Sequence, residues 1–112
     1  MKEKILNLIG EQGWNIDEME DDNHKYSYEL SKFSPKGQDF NFYVNIDNLN
    51  DFASELLNVH DNFDVSYETS LWLGGDGHGK NGAPHDMKDV YEDMEACKSM
   101  IHELYVEVSS VF

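Results

Sequence analysis

The sequence is short of cations, and this shortage excludes several classes of partner. Its 112 residues include no arginine, and eight lysines face 23 aspartates and glutamates, so the formal net charge is -15. Such a chain repels the phosphates of nucleic acids and of anionic membranes, and it lacks the guanidinium groups that bind phosphate in a bidentate manner. We therefore expect no direct binding to nucleic acid and no attachment to membranes.

Cysteine and long apolar runs are also scarce. Cys97 is the only cysteine, so an intrachain disulfide is excluded and nothing points to an oxidising compartment. The apolar run near the first residues is short and interrupted, unlike a secretory signal, and no stretch approaches the length of a membrane span. Because aromatic residues make up 12% of the chain, it is too apolar for a disordered acidic tail. We expect one globular domain over residues 1–112, located in the cytoplasm.

Three segments carry apolar residues at three- and four-residue steps, the spacing of helices with one buried face. In the last of them, Asp86 is suited to cap the N-terminus, and Met94, Cys97 and Ile101 belong to a long apolar stripe. That stripe is predicted to face the core. The predicted helices cover residues 2–12, 48–61 and 86–106.

Other segments alternate between apolar and polar residues at every second position, as strands do. Ser34-Pro35-Lys36-Gly37-Gln38 lies between two of them and has the composition of a tight turn, so residues 25–46 are a predicted β-hairpin. Residues 14–16 and 65–73 are the other predicted strands. The resulting order, α-β-β-β-α-β-α, predicts a two-layer α+β fold in which a mainly antiparallel sheet of three or four strands packs against helices.

Two aromatic residues break the alternation of their predicted strands. Tyr43 and Trp72 both fall at polar positions, on the face opposite the buried row. They predict either an exposed aromatic patch of the kind that marks binding surfaces, or a second face covered by another helix.

Three short runs stand out along the chain: Ser34-Pro35-Lys36-Gly37-Gln38-Asp39-Phe40, then Phe63-Asp64 leading to Leu71-Trp72, then Gly82-Ala83-Pro84 before a predicted helix with Glu92-Asp93. They resemble runs in a widespread set of short acidic bacterial proteins, common in gut bacteria, that have no assigned function. The resemblance spans roughly residues 10–105 and implies a single domain of bacterial origin, with no activity to carry over.

The glycine-rich stretch at residues 74–86 suggests two kinds of site. Residues 74–80 read G-x-x-x-x-G-K, but Asn81 replaces the hydroxyl that a phosphate-binding loop requires, so we reject a nucleotide site. A metal site is the weaker alternative to a plain connecting loop, because two imidazoles and two carboxylates occur close together but without a recognised ligand spacing. Its ligands would be Asp76, His78, His85 and Asp86.

No catalytic motif is visible, since G-x-S-x-G, H-E-x-x-H and C-x-x-C are all absent. We therefore favour a protein without enzymatic activity and without a cofactor. The charge instead favours an interaction module that binds a basic protein, with nucleic-acid mimicry as one form of such binding. The alternative is a small-molecule or metal-dependent activity at residues 74–86. The candidate partner surface is the side of the last helix opposite its apolar stripe, with Asp89, Glu92, Glu103 and Glu107.

Overall fold

The fold consists of a small sheet covered on one face by helices. The computed structural model describes residues 1–73 and 86–112. A turn of 3-10 helix at Leu49–Asp51 leads directly into the second helix. The elements are α1 (Lys2–Glu11), β1 (Asn15–Glu18), β2 (Tyr26–Phe33), β3 (Asp39–Ile46), α2 (Phe52–Asp61), α3 (Val65–Trp72) and α4 (Met87–Ser109).

The sheet has three antiparallel strands in the order β1-β2-β3, which confirms the predicted hairpin. Tyr26 pairs with Ile46 at one end of the hairpin and Phe33 with Asp39 at the other. The turn between them is closed by the Ser34 N–H, which donates to the Gln38 carbonyl at 2.8 Å. Gly37 has φ of +97°, a conformation that favours glycine and explains its place in the turn.

One face of the sheet packs against the hydrophobic core. Alternate residues of β3 are buried, and their neighbours point to solvent, as period-two patterning requires. Aromatic rings of the sheet pack against rings of neighbouring elements. The ring centroids of Tyr28 and Phe52 are 5.8 Å apart, and those of Trp14 and Phe42 are 5.4 Å apart. On the opposite face Tyr43 is 52% exposed. The two-layer α+β prediction is therefore confirmed, with three strands.

The strand predicted over residues 65–73 is wrong, because Val65–Trp72 is the helix α3. The Asp64 side chain caps it by accepting hydrogen bonds from the backbone N–H groups of Ser66 and Tyr67, at 3.0 and 3.2 Å. A satisfied N-cap favours helix over the alternating pattern. The order is thus α-β-β-β-α-α-α.

The wrong strand prediction for residues 65–73 also assigned Trp72 to the wrong face of the sheet. Its ring lies on the covered side of the sheet, with its centroid 5.7 Å from that of Phe40, rather than beside Tyr43 on the open face. The predicted patch of two aromatic residues therefore does not form, since Tyr43 is exposed and Trp72 is partly buried in the core cluster.

The long helix α4 is the central packing element, and its predicted N-cap is confirmed. The Asp86 side chain accepts a hydrogen bond from the Asp89 N–H at 2.9 Å. Met94, Cys97 and Ile101 are buried as predicted, whereas Met87 and Tyr91, which continue the predicted stripe toward the N-terminus of the helix, are 63% and 41% exposed. Of the helices in the described part of the chain, none is long and apolar enough to cross a bilayer. The buried apolar residues of α4 are Val90, Met94, Cys97, Ile101, Leu104 and Val108.

Candidate functional site

The four acidic residues predicted as a partner surface lie on the side of α4 away from its buried stripe; we call them the acidic face. Glu92, Glu103 and Glu107 are exposed, and Asp89 is partly exposed. From Asp89 to Glu107 the helix rises by about 27 Å, at 1.5 Å per residue. The acidic face therefore has two ends, a first end at Asp89 and Glu92 and a second end at Glu103 and Glu107.

The first end is neutralised by the hairpin turn. The Lys36 Nζ lies 2.8 Å from Asp89 Oδ1 and 2.8 Å from Glu92 Oε2. These hydrogen bonds, to Asp89 foremost, raise the pKa of Lys36 above its ordinary value, so the ammonium stays charged. The sequence did not reveal this pairing, because Lys36 is on a turn and its two partners are on a helix far along the chain.

A buried carboxylate fastens the same turn to α4. Asp93 is 0% exposed, and its Oδ2 accepts a hydrogen bond from the Ser34 hydroxyl. Its Oδ1 accepts from the Lys36 backbone N–H at 3.0 Å. The Ser34 hydroxyl in turn accepts from the Gln38 N–H at 2.8 Å, which closes the turn a second time. Both oxygens of the buried carboxylate thus have donors, as a buried charge requires.

Asp93 was not predicted as a functional residue, although its position along the last helix could have indicated its role. It lies three residues after Val90 and four before Cys97, both on the buried stripe. A carboxylate at helical spacing within a core stripe indicates a buried polar partner.

We call the contact of Asp93, Asp89 and Glu92 with residues 34–38 the turn clamp.

The second end of the acidic face has no comparable contact. Within residues 1–73 and 86–112, neither Glu103 nor Glu107 forms an ion pair with a lysine. Lys88, which borders the face, is exposed, and Lys98 is partly buried. The second end is therefore a negative surface open to solvent.

Three lysines form contacts that connect separate elements of the fold. The Lys32 Nζ donates to the Gln12 carbonyl at 2.8 Å, at the end of α1, and lies 5.8 Å from the centroid of the Trp14 ring. Lys2 pairs with Glu18, which raises the pKa of Lys2. Together with Lys36, these lysines join elements of the fold to one another.

Two of the sequence runs described above, residues 34–40 and the pair Phe63 and Trp72, meet around the Phe40 ring. Its ring centroid is 5.9 Å from that of Phe63 and 5.7 Å from that of Trp72. The Gln38 side-chain amide donates to the Trp72 carbonyl at 3.4 Å. The Ser34–Phe40 run and the Glu92-Asp93 pair meet in the turn clamp. Residues 82–84 lie outside the described part of the chain.

The alternative metal site receives no support from the described residues. Asp86 is occupied as the N-cap of α4, while Asp76, His78 and His85 lie outside the described residues. Over residues 1–73 and 86–112, no three side chains of histidine, cysteine, aspartate or glutamate are arranged so that they could hold a metal ion.

Cys97 has the surroundings of a structural thiol. It is 0% exposed, and burial, with smaller contributions from Asp93 and Glu68, raises the pKa of its thiol well above the ordinary range. A thiol that remains protonated is a poor nucleophile. The burial of Cys97 agrees with the prediction that its stripe faces the core, and its thiol has a structural role there.

The acidic residues at 17–22 span the end of β1 and the turn that follows it, and Asp21 orders that turn through its own contacts. Asp21 Oδ1 accepts from the Asn23 N–H at 2.8 Å, and Asp21 Oδ2 lies 3.0 Å from the His24 ring nitrogen. The hydrogen bond from Asn23 and the adjacent His24 lower the pKa of the Asp21 carboxyl. This carboxylate stabilises the turn into β2.

Comparisons with known proteins add no identification: no family model matches this chain, and no match was found among curated proteins or solved structures.

Proposed function

We propose that this protein is a non-enzymatic interaction module that binds a basic partner protein through the acidic face of α4. The observation that carries the proposal is the contrast between the two ends of this face. Glu103 and Glu107 are exposed and form no ion pair with a described lysine, whereas Lys36 already neutralises the first end. The second end is thus the part of the face most available to an external cation.

Long-range attraction supports this role. A net charge of -15 produces a negative potential around the whole chain, and such a potential accelerates association with a positively charged protein. Glu103 and Glu107 are one turn apart, so their carboxylates repeat at roughly the 5.4 Å pitch of the helix. A row of negative charges on a rigid rod resembles a phosphate backbone, and the partner would then be a protein that binds nucleic acid.

The turn clamp supports centring the proposed contact on the second end of the acidic face. A partner lysine or arginine approaching Asp89 or Glu92 has to compete with Lys36, whereas one approaching Glu103 or Glu107 meets no such competitor among the described residues. We therefore centre the contact on the second end and assign Asp89 and Glu92 to its margin.

The proposal is tested with a fluorescent oligolysine peptide as the probe, titrated by anisotropy at several salt concentrations. The test variant is Glu103→Gln/Glu107→Gln. The matched control is Asp17→Asn/Glu20→Gln, which removes the same charge from exposed residues outside α4. Between about 50 and 200 mM salt, wild-type affinity is expected to fall steeply, because exposed charges are screened.

The expected result is that the α4 variant binds the peptide several-fold more weakly than the control variant at the lower salt concentration. Equal weakening of both variants would show that only bulk charge attracts the probe and would contradict a localised surface. Circular dichroism of both variants establishes that they retain the wild-type helix content.

A further inference from the structure

Two histidines that are distant in sequence meet on the surface between α2 and α4. The ring centroids of His60, in the last turn of α2, and His102, on α4, are 5.1 Å apart, and the ring planes are inclined by 54°. The chain contains five histidines in all, and two of them lie next to each other here. No local pattern in the sequence indicates that these two positions meet.

The His60 ring is oriented by a neighbouring carboxylate. Its Nδ1 lies 3.0 Å from Asp61 Oδ1. Because an ionised carboxylate only accepts hydrogen bonds, the Nδ1 must be the donor, and the lone pair of a neutral ring then lies on Nε2. Metal-binding histidines typically have this arrangement, in which a carboxylate accepts from one ring nitrogen and the other nitrogen binds the ion.

Both rings line one groove on the protein surface. The groove has a volume of about 390 Å³ and is lined by His60, Ser99, His102 and Glu103. No cationic side chain belongs to this lining. The His60 side chain is 23% exposed and His102 is exposed, so an ion from solvent can reach the rings.

We infer that this groove binds a divalent transition metal ion such as Zn²⁺, Ni²⁺ or Cu²⁺. The two imidazoles of His60 and His102 are the protein ligands, and water completes the coordination. Imidazole ligands favour these ions over Mg²⁺ and Ca²⁺, which prefer oxygen. The bound ion would link α2 to α4 and stabilise the folded chain by mass action.

This site adjoins the proposed partner surface, since Glu103 belongs both to the groove lining and to the acidic face, but its test requires no partner. The full chain, without a histidine tag, is titrated with Zn²⁺ and Ni²⁺ by calorimetry, and its melting temperature is recorded with and without each ion. The variants are His60→Gln and His102→Gln, both at the surface. The matched control is His24→Gln, which removes a histidine that also pairs with an aspartate.

The expected result is a rise in melting temperature with either ion for the wild type and the His24 variant, and no rise for the other two. Asp61→Asn is expected to weaken binding by about tenfold or more, as loss of an orienting carboxylate typically does. Unchanged affinity in both His60→Gln and His102→Gln, or no binding to the wild type, would overturn the inference. Binding lost only in His78→Gln or His85→Gln would assign the ion to residues 74–86 instead.

Discussion

Both ends of the acidic face of α4 carry carboxylates, but only those at the first end are neutralised by a lysine of the described chain. At the first end, Asp89 and Glu92 are held by Lys36, and the buried Asp93 anchors the hairpin turn beneath them. At the second end, Glu103 and Glu107 form no ion pair with any lysine in the described part of the chain. Acidic residues of one helix therefore serve internal structure at the first end and present free charge at the second.

This difference shows that charge in a sequence does not identify a binding surface by itself. Carboxylates at helical spacing looked equivalent along α4, yet a single lysine from a distant turn divides them into two groups. Like charges at such spacings cost a helix a few tenths of a kcal/mol per pair, and Lys36 removes this cost at one end only. The predictions that follow test how separate the two ends are.

The largest expected effect comes from the packing beneath the second end. Ile101→Ala removes a fully buried side chain and should reduce the free energy of unfolding by about 2–5 kcal/mol. Urea denaturation measures the loss, with Val106→Ala as the control, since Val106 is 49% exposed. An unchanged urea midpoint in Ile101→Ala would mean that the stripe contributes little to the core.

A smaller loss is expected from the turn clamp. Asp93→Asn keeps the shape of the side chain but replaces one acceptor with a donor, so either the Ser34 hydroxyl or the Lys36 N–H is left without an acceptor. An unpaired buried donor costs about 1–3 kcal/mol of unfolding free energy. Glu95→Gln makes the same change at an exposed position of α4 and should leave the urea midpoint nearly unchanged. Equal midpoints for the two variants would argue against an anchoring role for Asp93.

The smallest effect, and the most direct test of the contrast, comes from Lys36→Gln. Removing this ammonium exposes the charge of Asp89 and Glu92, so the variant should bind oligolysine a few-fold more tightly, with a steeper dependence on salt. Stability should change little, since exposed ion pairs contribute little. Lys88→Gln makes the same charge change at an exposed position on α4. If both variants gain affinity equally, Lys36 does not specifically mask the first end.

Much of the fold could be predicted because its signals are local. The turn residues at 34–38 and the alternation on either side are sufficient for the hairpin, and the Asp86 cap with its following stripe is sufficient for α4. The failure at residues 65–73 is equally local. Alternating residues indicated a strand, but the Asp64 cap favoured a helix, and two apolar residues of that alternation, Tyr67 and Leu71, are exposed.

The sequence by itself determined the negative charge, the hairpin, the helices α1, α2 and α4 and the position of the acidic face, because periodicity and composition act over short distances. Only the tertiary structure decided which acids are neutralised. Lys36 meets Asp89 and Glu92, Ser34 meets Asp93, and His60 meets His102, each across a separation in sequence that no local pattern reports. Such pairs depend on how the packed helices and sheet are positioned in space, and that positioning follows from burial of the core rather than from the charged residues themselves.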